Sequence, residues 1–455
     1  MRIEKLIQKH AIKTNSKNIQ KGDIFVCALG QMDKNEYIEE AINNGASMVV
    51  TDKKYYHKKV FCCENTDAYL KEILDLKYNY PLSKINLIGV TGTDGKTTTV
   101  SILKDMLNGA SIGTNGVEYH QSQIDLHNTT PDLVTLYDCF DKIRKQNIFD
   151  VAMEVSSESY LTKRIPYLKF DVGIFLNISN EHLDKHKTFT NYLECKKELL
   201  RNSKKCLINN DSEYFKDVTD GLDNYLTFGH NKGDLQILKE KMYYDKTIIK
   251  FKYQHKNYTI VSPLSGEYNV INLMAAVLCL LSMGYKINDV IQRICLIKKI
   301  PGRMESFSLN GKNIFIDYAH TLNATKKILL FLKKYSRKKI ILVVGCAGDR
   351  YREKRPLIGD IALKYSKKVI FTSDDPRWEN PSDIIKEMLA KTKRKNYYIV
   401  LSRSDAIKTA LNIAGKNDLV VILGKGRDNY MAIQNELVPY SDIDVLNAYF
   451  NMKLS

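Results

Sequence analysis

The stretch Leu87-Ile-Gly-Val-Thr-Gly92-Thr-Asp-Gly95-Lys96-Thr97-Thr98-Thr99 constrains this chain more than any other. An apolar strand runs into a Gly-punctuated turn, and the turn opens a helix that begins on Lys and Thr. In such a turn backbone N–H groups point inward and the helix N-terminus adds positive potential, which together cradle phosphate. Lys96 is then placed to reach β- and γ-phosphates, and the Thr97 hydroxyl to reach Mg²⁺. The spacing is not the strict G-x-x-x-x-G-K-[ST], because position 90 is Val and the nearest glycine is Gly89. The shorter Gly92-x-x-Gly95-Lys96-Thr97 still has a strand before it and a Thr-rich helix start after it. ATP binding through Gly92, Thr93, Asp94, Gly95, Lys96, Thr97 and Thr98 is therefore the working premise.

A length of 455 residues suggests about three domains, and 44% hydrophobic with 27% charged residues is ordinary for a soluble globular chain. No apolar run approaches the roughly 20 residues of a membrane span, and Met1-Arg-Ile-Glu-Lys5 lacks an apolar leader core. A cytoplasmic location without membrane insertion is expected. The nine cysteines include no C-x-x-C pair, so free thiols are expected in place of a zinc site or disulfides. The net charge of +17 is spread in short patches such as Lys333-Lys334 and Lys338-Lys339, without aromatic interleaving. That pattern favours a solvated Lys-rich surface and anionic small-molecule substrates over nucleic acid.

Residues 1 to about 84 read as a small α/β unit, with a strand over Ile24–Leu29, a helix over Glu36–Asn44 and a strand to Val50, closed by a linker at Pro81-Leu-Ser83. From 85 to about 300 strands and helices alternate, as a parallel sheet requires. Phe149–Val155 is a strand that places Glu154 and the Ser156-Ser157 pair at its C-terminal end, where open α/β sheets bind ligands. A carboxylate there commonly holds Mg²⁺ directly or through water. His182 and His186 lie four apart, a weak signal alone. Residues 225–262 alternate polar and apolar positions and suggest antiparallel strands, and a helix opens at Asn269. Residues 301–455 form a third α/β unit whose strands end in Asp317-Tyr-Ala-His320, Gly345 to Arg350, Ser373 to Arg377 and Gly424 to Asp428, which together mark a binding rim.

These residues carry a resemblance. Thr91 to Thr98, Asn128-Thr-Thr-Pro-Asp132, Glu154-Val-Ser-Ser157, Asn177 to His186, Tyr192-x-x-x-Lys196, Asn269-x-x-Asn272, Pro301-Gly-Arg303, Asp317-Tyr-Ala-His320, Gly348-Asp-Arg350 and Gly424-Lys-Gly426 stand in the order found in the Mur ligases. The match spans nearly the whole chain and is strongest with the diamino-acid-adding branch. It implies three domains (1–84 binding a UDP-substrate, 85–300 binding ATP on a P-loop-type parallel sheet, 301–455 Rossmann-like and binding the amino acid). It implies a cytoplasmic enzyme, expected to be monomeric, that uses ATP and Mg²⁺. Its substrates would be UDP-N-acetylmuramoyl-L-Ala-D-Glu and a diamino acid, joined through an acyl phosphate for peptidoglycan precursor synthesis.

By the same resemblance Lys96, Glu154, His182 and Lys196 are catalytic, with Thr97, Glu154, His182 and a carbamylated Lys196 near metal. Asn272, Arg303, Asp317 and His320 join the ATP set, while Ser16, Thr129, Thr130, Ser156, Thr162 and Arg164 hold the UDP-muramoyl dipeptide. Arg350, Asp374, Asp375, Pro376, Arg377, Gly424 and Asp428 take the amino acid. Diaminopimelate-adding members read Asp-Asn-Pro-Arg where this chain has Asp374-Asp375-Pro376-Arg377. Arg377 argues for a distal carboxylate, and thus meso-diaminopimelate, because a guanidinium grips a carboxylate bidentately. Asp375 argues for L-lysine or L-ornithine. The family's Gly-Lys-Gly-His-Glu also departs, as Gly424-Lys-Gly426-Arg427-Asp428, and Thr162 stands where the family has Gln. Two other readings stay open: another ligase of the superfamily, of folylpolyglutamate or cyanophycin type, and a basic ATP-switched nucleic-acid binder.

Overall fold

Short β-branched runs separated by amphipathic helices give three successive sheets in the computed structural model, which describes residues 2–28, 34–120, 122–126, 128–179, 181, 183–243, 246–309, 311–336 and 338–451. The first sheet has four parallel strands in chain order, Ile12–Lys13, Ile24–Val26, Met48–Thr51 and Val60–Cys62. The strand expected over Ile24–Leu29 is shorter; Leu29 lies outside the described residues. The helix expected over Glu36–Asn44 runs Lys34–Asn43. Pro81–Ser83 is a 3-10 turn with Pro81 buried, so this connection is packed instead of extended.

The central sheet has eleven strands. Its middle is parallel, in the spatial order Tyr225–Gly229, Ser203–Asn209, Phe170–Phe175, Asn86–Thr91, Asp150–Glu154, Ala110–Gly113. The expected antiparallel block begins later than its alternation suggested. Tyr225–Gly229 is parallel to its neighbour, and only Leu235–Met242, Thr247–Tyr253 and Lys256–Ser262 form an antiparallel meander. Half-buried parallel and antiparallel strands share one period of two, so alternation does not distinguish them. At the opposite edge Gly116–Tyr119 and Ser122–Ile124 turn back antiparallel.

Helix Glu267–Ser282 is apolar on nearly every face and is buried against helix Lys96–Leu107, which follows the phosphate loop. Its core continues through Ile297 and Ile300 to Phe315 and Ile328, so one apolar cluster joins the central sheet to the chain beyond residue 300. There the third sheet runs Glu305–Leu309, Lys312–Asp317, Asp418–Leu423, Lys339–Val344, Lys368–Phe371, Tyr397–Ile399, parallel except for its first hairpin.

A buried arginine anchors the loop after strand Lys368–Phe371. Arg355 donates to Glu379 at 2.8 Å through both Nη atoms, to Glu387 at 2.7 Å and to the Ala347 carbonyl at 3.0 Å. Hydrogen bonding to Arg355 holds the Glu379 carboxyl at about 2, below its ordinary 4.5. Because the folded-state value is depressed, the stabilisation is complete above pH 4.5 and disappears as pH falls through about 2. Glu379→Gln should cost on the order of 2 kcal/mol at pH 7, and the gap in Tm from the parent should close as the pH is taken down to 2. A gap that stays constant over that range would remove the ion pair as its cause.

Candidate active site

Parallel pairing brings three strand ends to one edge. Val90 is in register with Glu154 and Thr91 with Phe175, and the Thr91 hydroxyl donates to the Val155 carbonyl at 2.9 Å. The turn beyond is fixed from the neighbouring strand end. Asn177 accepts from the Asp94 N–H and donates to the Asp94 carbonyl, both at 3.0 Å, and the Thr93 hydroxyl meets the Tyr192 hydroxyl at 3.0 Å. Gly95 has φ +89°, and a Cβ there would collide with the Asn272 side chain, so only glycine lets the loop lie this close to helix Glu267–Ser282. Lys96 begins helix Lys96–Leu107 and folds back, its Nζ donating to the Gly92 and Thr93 carbonyls at 2.8 and 3.0 Å. Desolvation lowers its pKa while Glu154 and Asp94 oppose that shift.

Glu154 is buried and accepts from the Thr114 N–H at 2.8 Å. Behind it Thr130 donates to the Glu154 carbonyl at 2.9 Å and accepts from the Ser156 N–H at 3.0 Å. Arg164 donates to the Thr130 carbonyl at 2.8 Å and to the Thr162 hydroxyl at 3.0 Å. Lys196 is buried in helix Phe189–Arg201, with its nitrogen 4.8 Å from the centre of the Tyr192 ring. Burial, reinforced by the Lys96 charge, lowers its pKa well below the ordinary lysine value and so favours the neutral amine. His182 lies outside the described residues. His186 is a core histidine bonded to the Ser157 hydroxyl at 2.9 Å.

The chain beyond residue 300 covers this loop. Arg303 donates to the Thr97 hydroxyl at 3.0 Å and lies 4.6 Å from the centre of the Tyr318 ring. Asp317 accepts from the Met304 and Ala319 N–H groups at 2.7 and 2.8 Å, and burial pushes its carboxyl up to about 6. Thr321 caps helix Leu322–Tyr335 and also donates to both Asp94 carboxylate oxygens at 3.3 Å. Lys354 forms a buried ion pair with Glu181 at 3.1 Å. His320 is exposed, hydrogen-bonded to the Tyr318 carbonyl at 2.9 Å.

One cavity of about 640 Å³ collects most of the expected residues. Thr93 to Thr98, Thr129, Glu154, Ser156, Arg164, Lys196, Asn272, Arg303, Asp317 and His320 line it, and so do Arg350, Asp374, Asp375, Arg377, Gly424 and Asp428. Gly92 contributes its carbonyl to Lys96 from just outside. Thr130, Thr162 and Pro376 do not line it: Thr130 and the exposed Thr162 bond to Ser156 and Arg164, and Pro376 is buried beside Arg377 in the chain. Ser16 lies apart from the cavity, in the first sheet's unit, buried and bonded through its hydroxyl to Glu40. Asn177, Tyr192 and Lys425 stand within the matched motifs but had no role assigned from sequence, and Thr321 and Lys354 were not singled out at all. Of the last two, only Thr321, a Ser/Thr-type cap before an apolar-periodic helix, had a local signal that could have flagged it.

Residues 90–280 match the Mur ligase middle domain and residues 302–426 the Mur ligase, glutamate ligase domain. The chain is 33% identical over 449 residues to UDP-N-acetylmuramoyl-L-alanyl-D-glutamate--2,6-diaminopimelate ligase 1 of Clostridium acetobutylicum, covering 96% of this chain and 93% of that one. It is 35% identical over 448 residues to the ligase with the same substrates in its name from Aquifex aeolicus, covering 96% and 92%. A solved structure of a UDP-N-acetylmuramoyl-L-alanyl-D-glutamate--2,6-diaminopimelate ligase superposes with a TM-score of 0.68 at 26% identity, over 97% of this chain and 94% of that one. A MurF ligase from Thermotoga maritima in complex with ADP shares the fold, with a TM-score of 0.65 at 22% identity over 92% and 94%.

Proposed function

Since the chain belongs to the Mur ligase family, we propose that it uses ATP to join meso-2,6-diaminopimelate to the D-glutamyl carboxylate of UDP-N-acetylmuramoyl-L-Ala-D-Glu, in peptidoglycan precursor synthesis. The observation that carries this reading is a single cavity with a phosphate loop on one wall and the Arg377 guanidinium on another. Residues 1–84, 85–300 and 301–455 are the proposed working parts, for the UDP-substrate, ATP and the amine respectively. The enzyme is proposed to act as a cytoplasmic monomer; no helix among the described residues is long and apolar enough to cross a membrane.

Two displacements complete the reaction. A D-glutamyl carboxylate oxygen attacks the γ-phosphorus, the bond to the β-phosphate oxygen breaks, and ADP leaves. The diaminopimelate nitrogen then attacks the acyl carbon, inorganic phosphate leaves, and the amine gives up a proton as the amide forms. Phosphoryl transfer of this kind depends on positioning and charge. Lys96, released from the Gly92 and Thr93 carbonyls, supplies a cation to the β- and γ-oxygens, and the loop N–H groups hold the phosphates. Thr129, Ser156 and Arg164 orient the acyl acceptor beside Glu154. Arg303, Asn272 and Asp317 close the nucleotide side, which keeps water from the acyl phosphate.

The residues beside the loop fit Mg²⁺. Thr97 and Glu154 offer hard oxygen donors on the cavity wall, while no group of three or more His, Cys, Asp or Glu able to cage an ion occurs among the described residues. That donor set suits an ion shared with nucleotide phosphates. When bound, Mg²⁺ would neutralise charge on the phosphates. Lys196 would add an oxygen ligand as a carbamate, and its burial favours the neutral amine that reacts with CO₂.

The test is phosphate release with ATP, Mg²⁺ and UDP-N-acetylmuramoyl-L-Ala-D-Glu, comparing meso-diaminopimelate, L-lysine and L-ornithine. Diaminopimelate should lead by at least ~100-fold in kcat/KM, because a site that pairs a charged group rejects analogues lacking it. Turnover with lysine or ornithine instead would keep the ligase and overturn its amine. No turnover with any of the three would overturn the reading.

A further inference from the structure

The chain's Asp375, an acid where diaminopimelate-adding relatives carry Asn, has its charge committed inside the protein. Its Oδ1 accepts from the Lys425 ammonium at 2.8 Å and from the Ala432 N–H at 2.9 Å. Lys425 is 1% exposed, lies 3.4 Å from Asp428 Oδ2 and stands 5.2 Å from the centre of the Tyr430 ring. Burial disfavours its charge, yet Asp374, Asp375 and Asp428 together outweigh that and raise its pKa, so the ammonium persists.

Ala432, in the antiparallel hairpin of Tyr430–Ile433 with Glu436–Pro439, holds both Asp375 and Arg377. The Arg377 N–H donates to the Ala432 carbonyl at 3.0 Å, and the Gln434 N–H donates to the Arg377 carbonyl at 2.9 Å. Asp375 and Arg377 both have left-handed backbone, φ +37° and +52°, on either side of buried Pro376. Side-chain-bearing residues keep such conformations only where surrounding contacts dictate them. Lys425, Asp375 and Ala432 are those contacts. Arg377 itself lines the cavity, and its Nε has no hydrogen-bond partner among the described residues.

We propose that Lys425 is the specificity-positioning residue of the amine pocket: by pairing with Asp375 it cancels the extra carboxylate and leaves Arg377 to select a substrate with a distal carboxylate. This rests on the diaminopimelate reading above. Lys425 touches no substrate; it acts through Asp375 and the loop that carries Arg377. Without its charge, Asp375 stands uncompensated on the cavity wall two residues from Arg377, and the pocket then holds a carboxylate that prefers a bare distal ammonium.

Steady-state phosphate release with meso-diaminopimelate and with L-lysine tests this in the full chain, with ADP affinity as the measure of folding. Lys425→Met should lower the diaminopimelate-to-lysine ratio of kcat/KM by at least ~30-fold, mainly through KM for diaminopimelate, since an unpaired buried charge must find another partner. Lys425→Arg, and Lys425→Met combined with Asp375→Asn, should each restore most of that ratio, a coupling that simple loss of packing does not produce. Lys425→Gln, uncharged but still a donor, is read in parallel in case the methionine variant loses ADP binding. A ratio within about twofold of the parent in both uncharged variants that bind ADP, or no recovery in the double variant, overturns the proposal. If the parent uses neither amine, the diaminopimelate reading fails first and the role of Lys425 falls with it.

Discussion

Lys96→Ala should lower kcat by at least ~10³-fold while moving Tm by no more than a few degrees, because the role proposed for its nitrogen lies in the transition state and not in the fold. In the structure that nitrogen reaches the carbonyls of Gly92 and Thr93, two loop groups within four residues of it. Loop carbonyls at the cavity wall can turn to water when the lysine is gone, so little stability depends on it. A phosphoryl group in flight spreads negative charge over its equatorial oxygens, and a preorganised cation in a partly desolvated pocket stabilises that charge strongly. Rapid-quench measurement of ADP formation with the acyl acceptor present reads the first displacement directly. A variant that retained a tenth of the parent rate would remove Lys96 from phosphoryl transfer.

The second large effect concerns stability. Arg403 and Asp442 are both 0% exposed at their side chains, joined through Nε at 2.8 Å and Nη2 at 2.7 Å. Nη2 also donates to the Leu423 carbonyl at 3.0 Å, and the Tyr440 hydroxyl donates to Asp442 at 2.8 Å. Leu423 is the last residue of strand Asp418–Leu423, so the pair holds the base of the Gly424–Asp428 loop. Arg403→Ala removes one charge and strands the other in the interior, a change that costs about 3–5 kcal/mol. Urea unfolding should show the midpoint drop at unchanged slope. Arg403→Met with Asp442→Leu should recover most of the loss, since replacing both charges leaves none uncompensated. A loss below about 1 kcal/mol in the single variant would mean that water reaches the stranded carboxylate.

The sequence was most legible where chemistry demands a fixed local pattern. The Gly92 to Thr97 turn, the carboxylate at the end of a five-residue strand, and four polar strand ends in the last sheet could be read because each residue type answers to a local rule. The antiparallel return at Gly116–Tyr119 and Ser122–Ile124 could not, since both strands are short and partly exposed and their partners are set by the sheet edge. Site members that act across long separations were also invisible. Thr321 meets Asp94 across 227 positions and Lys354 meets Glu181 across 173. No periodicity encodes such meetings; they exist only after the third sheet is seated on the second. Asp375 shows the reverse. Read in isolation it argues for an ammonium in the substrate, and only its pairing with Lys425 reassigns the charge.

Asp94 and Thr97 lie on the phosphate loop, and each also carries a contact from beyond residue 300, through Thr321 and Arg303. The grip on nucleotide proposed for this loop and the grip between the two halves of the enzyme would therefore run through the same few atoms. A change at either residue should therefore loosen ADP binding and the seat of the third sheet on the second together, so that the two losses scale with each other across a series of variants.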